Sequence, residues 1–251
     1  MIDLTGRRVL VTGASRGIGA ACCRLFAKAG AAVLVQYFAS GGRATELLGE
    51  LRRISRQPHA AFRCDVSRRS QIKRLFAFIA AEWGGLDCLI NNAGVWVHDP
   101  LIRLDEERLE ATLSVNVVGP FLCAREAVPL LEQSENGSII NISSTAGQRG
   151  EAFYSAYAAS KGAMISATKS WSSELAPKIR VNSVAPGWVE TDMTAGALAG
   201  DQGKAIAASI PLGRVASPED IAGPVLFLAS PLARHITGEI LNVNGGSVLV
   251  G

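Results

Sequence analysis

The sequence predicts an α/β fold: a doubly wound, mostly parallel sheet of seven strands with helices on both faces, in one domain. Three observations predict it. Seven short runs rich in Val, Ile and Leu rarely alternate, as expected of strands covered on both faces. Helix-length amphipathic stretches lie between them, so strand and helix alternate. The 251 residues hold no Pro/Ser-rich linker, low-complexity block or internal repeat, which suits a single large core.

In chain order, strands are predicted at residues 9–11, 32–37, 60–63, 86–91, 138–143, 180–185 and 239–243. Helices are predicted at 17–29, 41–53, 70–83, 105–131, 155–176 and 218–229. The last helix has the plainest start: Ser217 as cap, Pro218 at the first helical position, Glu219 and Asp220 in the first turn. Sheets of this kind bind ligands beyond the carboxyl ends of their strands, at the switch point. Asn92, Ser144 and Pro186 each follow a strand.

The net charge of +3 is too small to make nucleic acid or a membrane the main partner. Between Arg43 and Arg74 nine Lys/Arg stand against three acids, but a single-strand groove would interleave aromatics for stacking, and only Phe62 is there. These charges read as solvated helix faces. Five cysteines (Cys22, Cys23, Cys64, Cys88, Cys123) lie inside predicted elements or, for Cys64, directly after one, and read as small core residues of a reducing compartment. No CxxC occurs and His59, His98 and His235 are far apart, so no metal site is predicted. No apolar run reaches the ~18 residues of a membrane span. The first strand begins too early to leave room for a signal peptide, so a cytoplasmic protein is expected.

The turn TGASRGIG, Thr12 to Gly19, follows the first strand and opens the first helix. Gly13, Gly17 and Gly19 allow a tight turn and a close approach of backbone N–H groups to a pyrophosphate, which the helix N-terminus favours. The run YAASK puts Tyr157 four residues before Lys161, on one helix face, where an ammonium can hold a phenol closer to ionisation. A phenol titrates near pH 10; lowering that by two to three units needs roughly 3–4 kcal/mol, to which the Lys161 ammonium can contribute. Tyr154 lacks a lysine at that spacing and reads as pocket wall or surface. Ser144 ends the fifth strand and is placed to hydrogen-bond a substrate oxygen. Ser143 faces the other side.

Taken together, GxxxGIG, Asn91–Asn92–Ala93–Gly94, Asn116, Ser144, Tyr157, Lys161 and the turn Pro186 to Thr191 resemble the short-chain dehydrogenase/reductase family over essentially the whole chain. The runs 190–193 and 210–214 resemble its 3-oxoacyl-[acyl-carrier-protein] reductases most. The resemblance implies a single Rossmann domain that is an NAD(P)-dependent enzyme, with Asn116, Ser144, Tyr157 and Lys161 catalytic. It implies that Gly13, Ser15, Arg16, Gly17, Ile18, Gly19, Tyr37, Asp65, Val66, Asn92, Ala93, Gly94, Pro186, Gly187, Val189 and Thr191 join Tyr157 and Lys161 around the cofactor. Asp65 is to meet the adenine amino group, Asn116 to anchor a water leading to Lys161, and residues 191–208, rich in small side chains, to form a mobile substrate lid.

NAD-specific members usually end the second strand with an aspartate for the ribose hydroxyls. Here the stretch reads Val35–Gln36–Tyr37–Phe38, with Arg16 and Arg43 available to pair with a 2′-phosphate. NADP(H) is therefore expected over NAD(H). The family implies a homotetramer paired through helices 105–131 and 155–176 and the C-terminal strand. An acyl carrier protein is acidic, and residues 126–137, leading into the serine's strand, hold three acids and no Lys or Arg. Carrier docking is therefore doubted. A sugar, polyol or other small-alcohol dehydrogenase is the alternative, and a silent nucleotide-binding protein the remote one.

Overall fold

In β1 (Arg8–Val11), Val9 and Val11 face one side of the sheet and Leu10 the other, and every side chain is buried beyond Arg8. That two-sided burial repeats along the sheet and explains why its strands read as continuous apolar runs. The computed structural model describes residues 2–249. After β1 come α1 (Gly17–Lys28), β2 (Ala32–Tyr37), α2 (Gly41–Ile54), β3 (Ala60–Arg63), α3 (Arg69–Trp83) and β4 (Cys88–Asn91). Then follow α4 (Glu106–Leu113), α5 (Gly119–Leu131), β5 (Gly137–Ile142), α6 (Thr145–Arg149), α7 (Ser155–Glu174), β6 (Ile179–Pro186), α8 (Gly200–Ser209), α9 (Pro218–Ala229) and β7 (Ile240–Val243).

The strand order is β3-β2-β1-β4-β5-β6-β7, every pairing parallel. One face packs on α1, α2 and α9 through Phe26, Leu47, Leu51 and Val225. The other packs on α3, α5 and α7 through Leu75, Ile79, Leu131 and Met164. The chain leaves β1 toward β3 and then returns to β4, so the crevice beyond β1 and β4 is the switch point.

Most boundaries fall within two residues of the expectation. The helix expected over 105–131 differs: α4 and α5 are joined by a π turn, Ser114–Val118, closed by the Gly119 N–H to the Ser114 carbonyl. Pro120 has no N–H, so the α-helical bond to the Asn116 carbonyl cannot form. Two helices lay outside the expectation. α6 is a single short turn, too brief to show a period. α8 occupies the second half of the segment expected to be a mobile lid.

The acidic residues Glu132 and Glu135 sit before the amino end of β5, whereas Ser144 follows its carboxyl end. The acidic stretch that counted against carrier docking therefore lies at the opposite end of the strand from the serine, because strand direction separates the two ends. No helix among the described residues is long and apolar enough to cross a membrane.

Candidate active site

The glycine turn is locked to the end of β4 by one threonine. Thr12 Oγ1 accepts the N–H groups of Asn92 (2.9 Å) and Ala93 (3.0 Å), and Asn92 Nδ2 donates to the Thr12 carbonyl at 2.8 Å. Gly13 has φ +62°, and a Cβ there would lie 2.8 Å from Ala93 Cα, so no other residue fits without moving a strand end. Gly17, Ile18 and Gly19 form the first turn of α1, and their N–H groups have no partner within the helix.

Gly17 and Ile18 border a cavity of about 440 Å³ that runs from Arg16 and Ser40 past Asp65, Val66 and Ala93 to Ser144, Tyr157 and Lys161. Ser15, Gly17, Ile18, Asn92, Gly94, Pro186, Gly187, Val189 and Thr191 complete its wall. A glycine-floored trough ending in unpaired helix N–H groups fits a dinucleotide. A larger groove of about 800 Å³ lies across the segment 190–207, between α8, α1 and α9, and none of the candidate reacting residues lines it.

Two expected cofactor residues line no part of this cavity. Tyr37 packs on the core beside Gly41, at the start of α2, because the alternation along β2 turns its ring away from the cavity. Gly19 meets the protein instead: a Cβ there would come within 2.7 Å of Asn92 Nδ2 and the Gly13 carbonyl. Asp65 lines the cavity with one carboxylate oxygen already accepting from the Ser67 N–H and hydroxyl. Gln36 is buried at the end of β2, accepting from Gly13 N–H (2.9 Å) and donating to the Cys64 carbonyl. It braces the glycine turn, a role that only the tertiary contact reveals.

At the far end, Lys161 is buried and its Nζ donates to the Ile142 carbonyl at 2.8 Å. Burial lowers its pKa to about 8. Burial also pushes the Tyr157 phenol up to about 12, against a smaller opposing effect of the Ser144 hydroxyl. The protein alone therefore moves Tyr157 opposite to the expected direction, since desolvation of the phenolate outweighs everything the chain supplies.

Ser144 caps α6, its Oγ accepting from the Ala146 N–H at 3.1 Å. Ser143 Oγ instead donates to the Val184 carbonyl on β6. Asn116 clasps Val95: Oδ1 accepts its N–H (2.8 Å), while Nδ2 donates to its carbonyl (2.9 Å) and to Ser160 Oγ (3.0 Å). Ser160 in turn donates to the Tyr157 carbonyl. Asn116 thus ties the end of β4 to the Tyr157 turn directly, its side chain fully engaged.

Beyond Tyr157 lies a smaller pocket of about 60 Å³ between Trp96, Trp188, Met193, Arg149 and Glu151. Trp96 stacks on Tyr154 at 4.3 Å, meets Trp188 edge-on at 6.0 Å and donates from Nε1 to Glu151. Desolvation raises the Glu151 pKa. The two tryptophans went unassigned in the sequence because they lie 92 positions apart. Gly147 was also missed: a Cβ there would lie 2.5 Å from the Lys161 carbonyl carbon, so glycine alone lets α6 approach α7.

The family model described as enoyl-(acyl carrier protein) reductase matches residues 13–247. A 3-oxoacyl-[acyl-carrier-protein] reductase of Thermotoga maritima is 38% identical, covering 98% of this chain and 99% of its own. One from Rickettsia conorii is 39% identical over the whole of both. A crystal structure from Brucella melitensis, titled a short-chain dehydrogenase/reductase and glucose/ribitol dehydrogenase, superposes with a TM-score of 0.94 at 33% identity, covering 99% of each chain.

The chain belongs to the short-chain dehydrogenase/reductase family. As a short-chain enzyme it is an NAD(P)-dependent oxidoreductase acting on C=O and CH–OH groups, and the 3-oxoacyl reductases are similar to it along its full length.

Proposed function

We propose that this short-chain reductase uses NADP(H) to reduce the ketone of 3-oxoacyl thioesters, with Tyr157 as acid, Ser144 as hydrogen-bond donor to the substrate oxygen, Lys161 as electrostatic support and Asn116 as positioning residue. The observation that carries the reading is the convergence of Ser144, Tyr157 and Lys161 at one end of a dinucleotide-sized trough. The other end has Arg16 and no carboxylate in β2. The bound nicotinamide supplies or takes the hydride. Tyr157 gives its proton to the carbonyl oxygen in reduction and its phenolate takes it back in oxidation. The Ser144 hydroxyl stabilises the negative charge that grows on that oxygen.

Lys161, held to Ile142, keeps two N–H groups for the cofactor ribose and lowers the phenolate's energy once its own proton is retained. The remaining cofactor contacts are assigned to Gly13, Ser15, Arg16, Gly17, Ile18, Asp65, Val66, Asn92, Ala93, Gly94, Pro186, Gly187, Val189 and Thr191, with residues 191–208 as the substrate lid. The assembly we propose is a cytoplasmic homotetramer. In support, Val118 and Phe121 stand exposed on the α4–α5 side, Phe121 edge-on to Trp171 of α7. Light scattering on wild type and Phe121→Glu tests it.

A polyol or sugar dehydrogenase is the second reading, favoured by the tryptophan walls and the Glu151 carboxyl around the small pocket, a combination suited to stacking on a ring and bonding hydroxyls. Initial rates of NADPH oxidation with acetoacetyl thioesters, and of NADP⁺ reduction with ribitol and glucose, separate the two. Thioester reduction at least tenfold more efficient supports the first reading; the reverse order assigns the second.

A further inference from the structure

We propose that Asp192 is a tethered competitor of the cofactor's 2′-phosphate, its carboxylate occupying the two guanidiniums, Arg16 and Arg43, that the phosphate needs. The inference rests on the NADP(H) reading above. Three separate segments meet at one oxygen. Arg16 immediately precedes α1, Arg43 lies in the first turn of α2, and Asp192 follows Thr191 at the start of the segment over the site. Arg16 Nη1 lies 3.1 Å from Asp192 Oδ2, and Arg43 Nη1 bonds the same oxygen.

Arg16, Ser40 and Asp192 all line the long cavity at the end where β2 stops, which is where a doubly wound sheet places the adenosine ribose. The acid expected of an NAD-binding strand is thus absent from β2, while one from a distant loop stands at the same place. All three charged side chains are about half exposed, so they can exchange partners without opening the core.

A phosphate monoester carries about −1.5 to −2 charges at neutral pH, which matches two guanidiniums better than one carboxylate does. An exposed ion pair shifts an equilibrium by only about 1.5- to 5-fold, so a phosphate can displace Asp192 at modest cost. NADH carries only a neutral 2′-hydroxyl there and leaves the clasp closed.

The test is the dissociation constants of NADPH, NADH and adenosine 2′,5′-bisphosphate, read from tryptophan fluorescence, for wild type, Asp192→Asn, Arg16→Ala and Glu190→Gln. Asp192→Asn should tighten NADPH and the bisphosphate by about three- to tenfold and leave NADH unchanged. Glu190→Gln, which removes a nearby charge that touches neither arginine, should change nothing. In the wild type the bisphosphate should also raise amide exchange over residues 192–199.

An NADPH to NADH ratio unaltered or lowered in Asp192→Asn overturns the competition, as does an equal gain in Glu190→Gln or unchanged exchange. If wild type and Arg16→Ala bind both cofactors alike, the NADP(H) reading itself fails. Competition survives that result only if Asp192→Asn still gains affinity for the phosphorylated ligands.

Discussion

The Lys161 ammonium lies 5.7 Å from the centre of the Tyr157 ring and spends a hydrogen bond on the Ile142 carbonyl rather than on the phenol. Burial by the protein holds the lysine near pKa 8 and the phenol near 12. Reduction needs the protonated phenol, which a raised pKa preserves. Oxidation needs the phenolate, whose fraction grows about tenfold per pH unit below the phenol's pKa. The kcat/KM for alcohol oxidation should therefore climb from pH 7 to about 8 and level off above it, where Lys161 loses the proton that supports the phenolate, while that for carbonyl reduction changes far less. Lys161→Met should move the climb to higher pH. A flat or falling oxidation profile below pH 8 would contradict the assignment.

Removing the phenol oxygen should separate chemistry from binding. Tyr157→Phe is expected to bind NADPH as the wild type does and to lose reduction by at least about a hundredfold. Single-turnover rates across pH 6–8 check it, and near-wild-type turnover rules out Tyr157 as the acid.

Arg16 is exposed at the β2 end of the cavity. Arg16→Ala should weaken NADPH by about 1–3 kcal/mol more than NADH if charge-assisted bonds are made. Isothermal titration of both cofactors decides it, and equal losses mean that Arg16 does not read a phosphate.

Gly147→Ala drives a methyl into the backbone of Lys161 and Gly162. With backbone on both sides neither helix yields cheaply, so a loss of about 1–3 kcal/mol is expected, read as a lower urea midpoint. Displacement of α6 also shifts Ser144, so kcat should fall more than cofactor affinity. Wild-type stability and rate would show that α6 moves freely.

Carrier-protein preference now rests on the charges at the mouth itself. Arg149 and Glu151 flank the small pocket and offset each other, so acetoacetyl thioesters of an acyl carrier protein and of coenzyme A should be reduced with similar kcat/KM. A hundredfold carrier advantage that shrinks with salt would reveal docking charges elsewhere on the surface.

The doubly wound sheet was legible in the chain because strands buried on both faces must be apolar throughout, and the six long helices show a period. The glycine turn, the serine after the fifth strand and the Tyr–Lys pair were legible because each is a local pattern of spacing. Residues whose work depends on distant partners were not. Gln36 looked like a missing acid and is a brace for Gly13. Tyr37 lies in the right stretch but on the wrong face of its strand. Trp96 and Trp188, or Arg16, Arg43 and Asp192, become neighbours only when the strand ends are gathered at one edge of the sheet. The direction of Tyr157's pKa also belonged to the tertiary structure, since the number of atoms excluding water from a phenol is a property of packing and not of spacing.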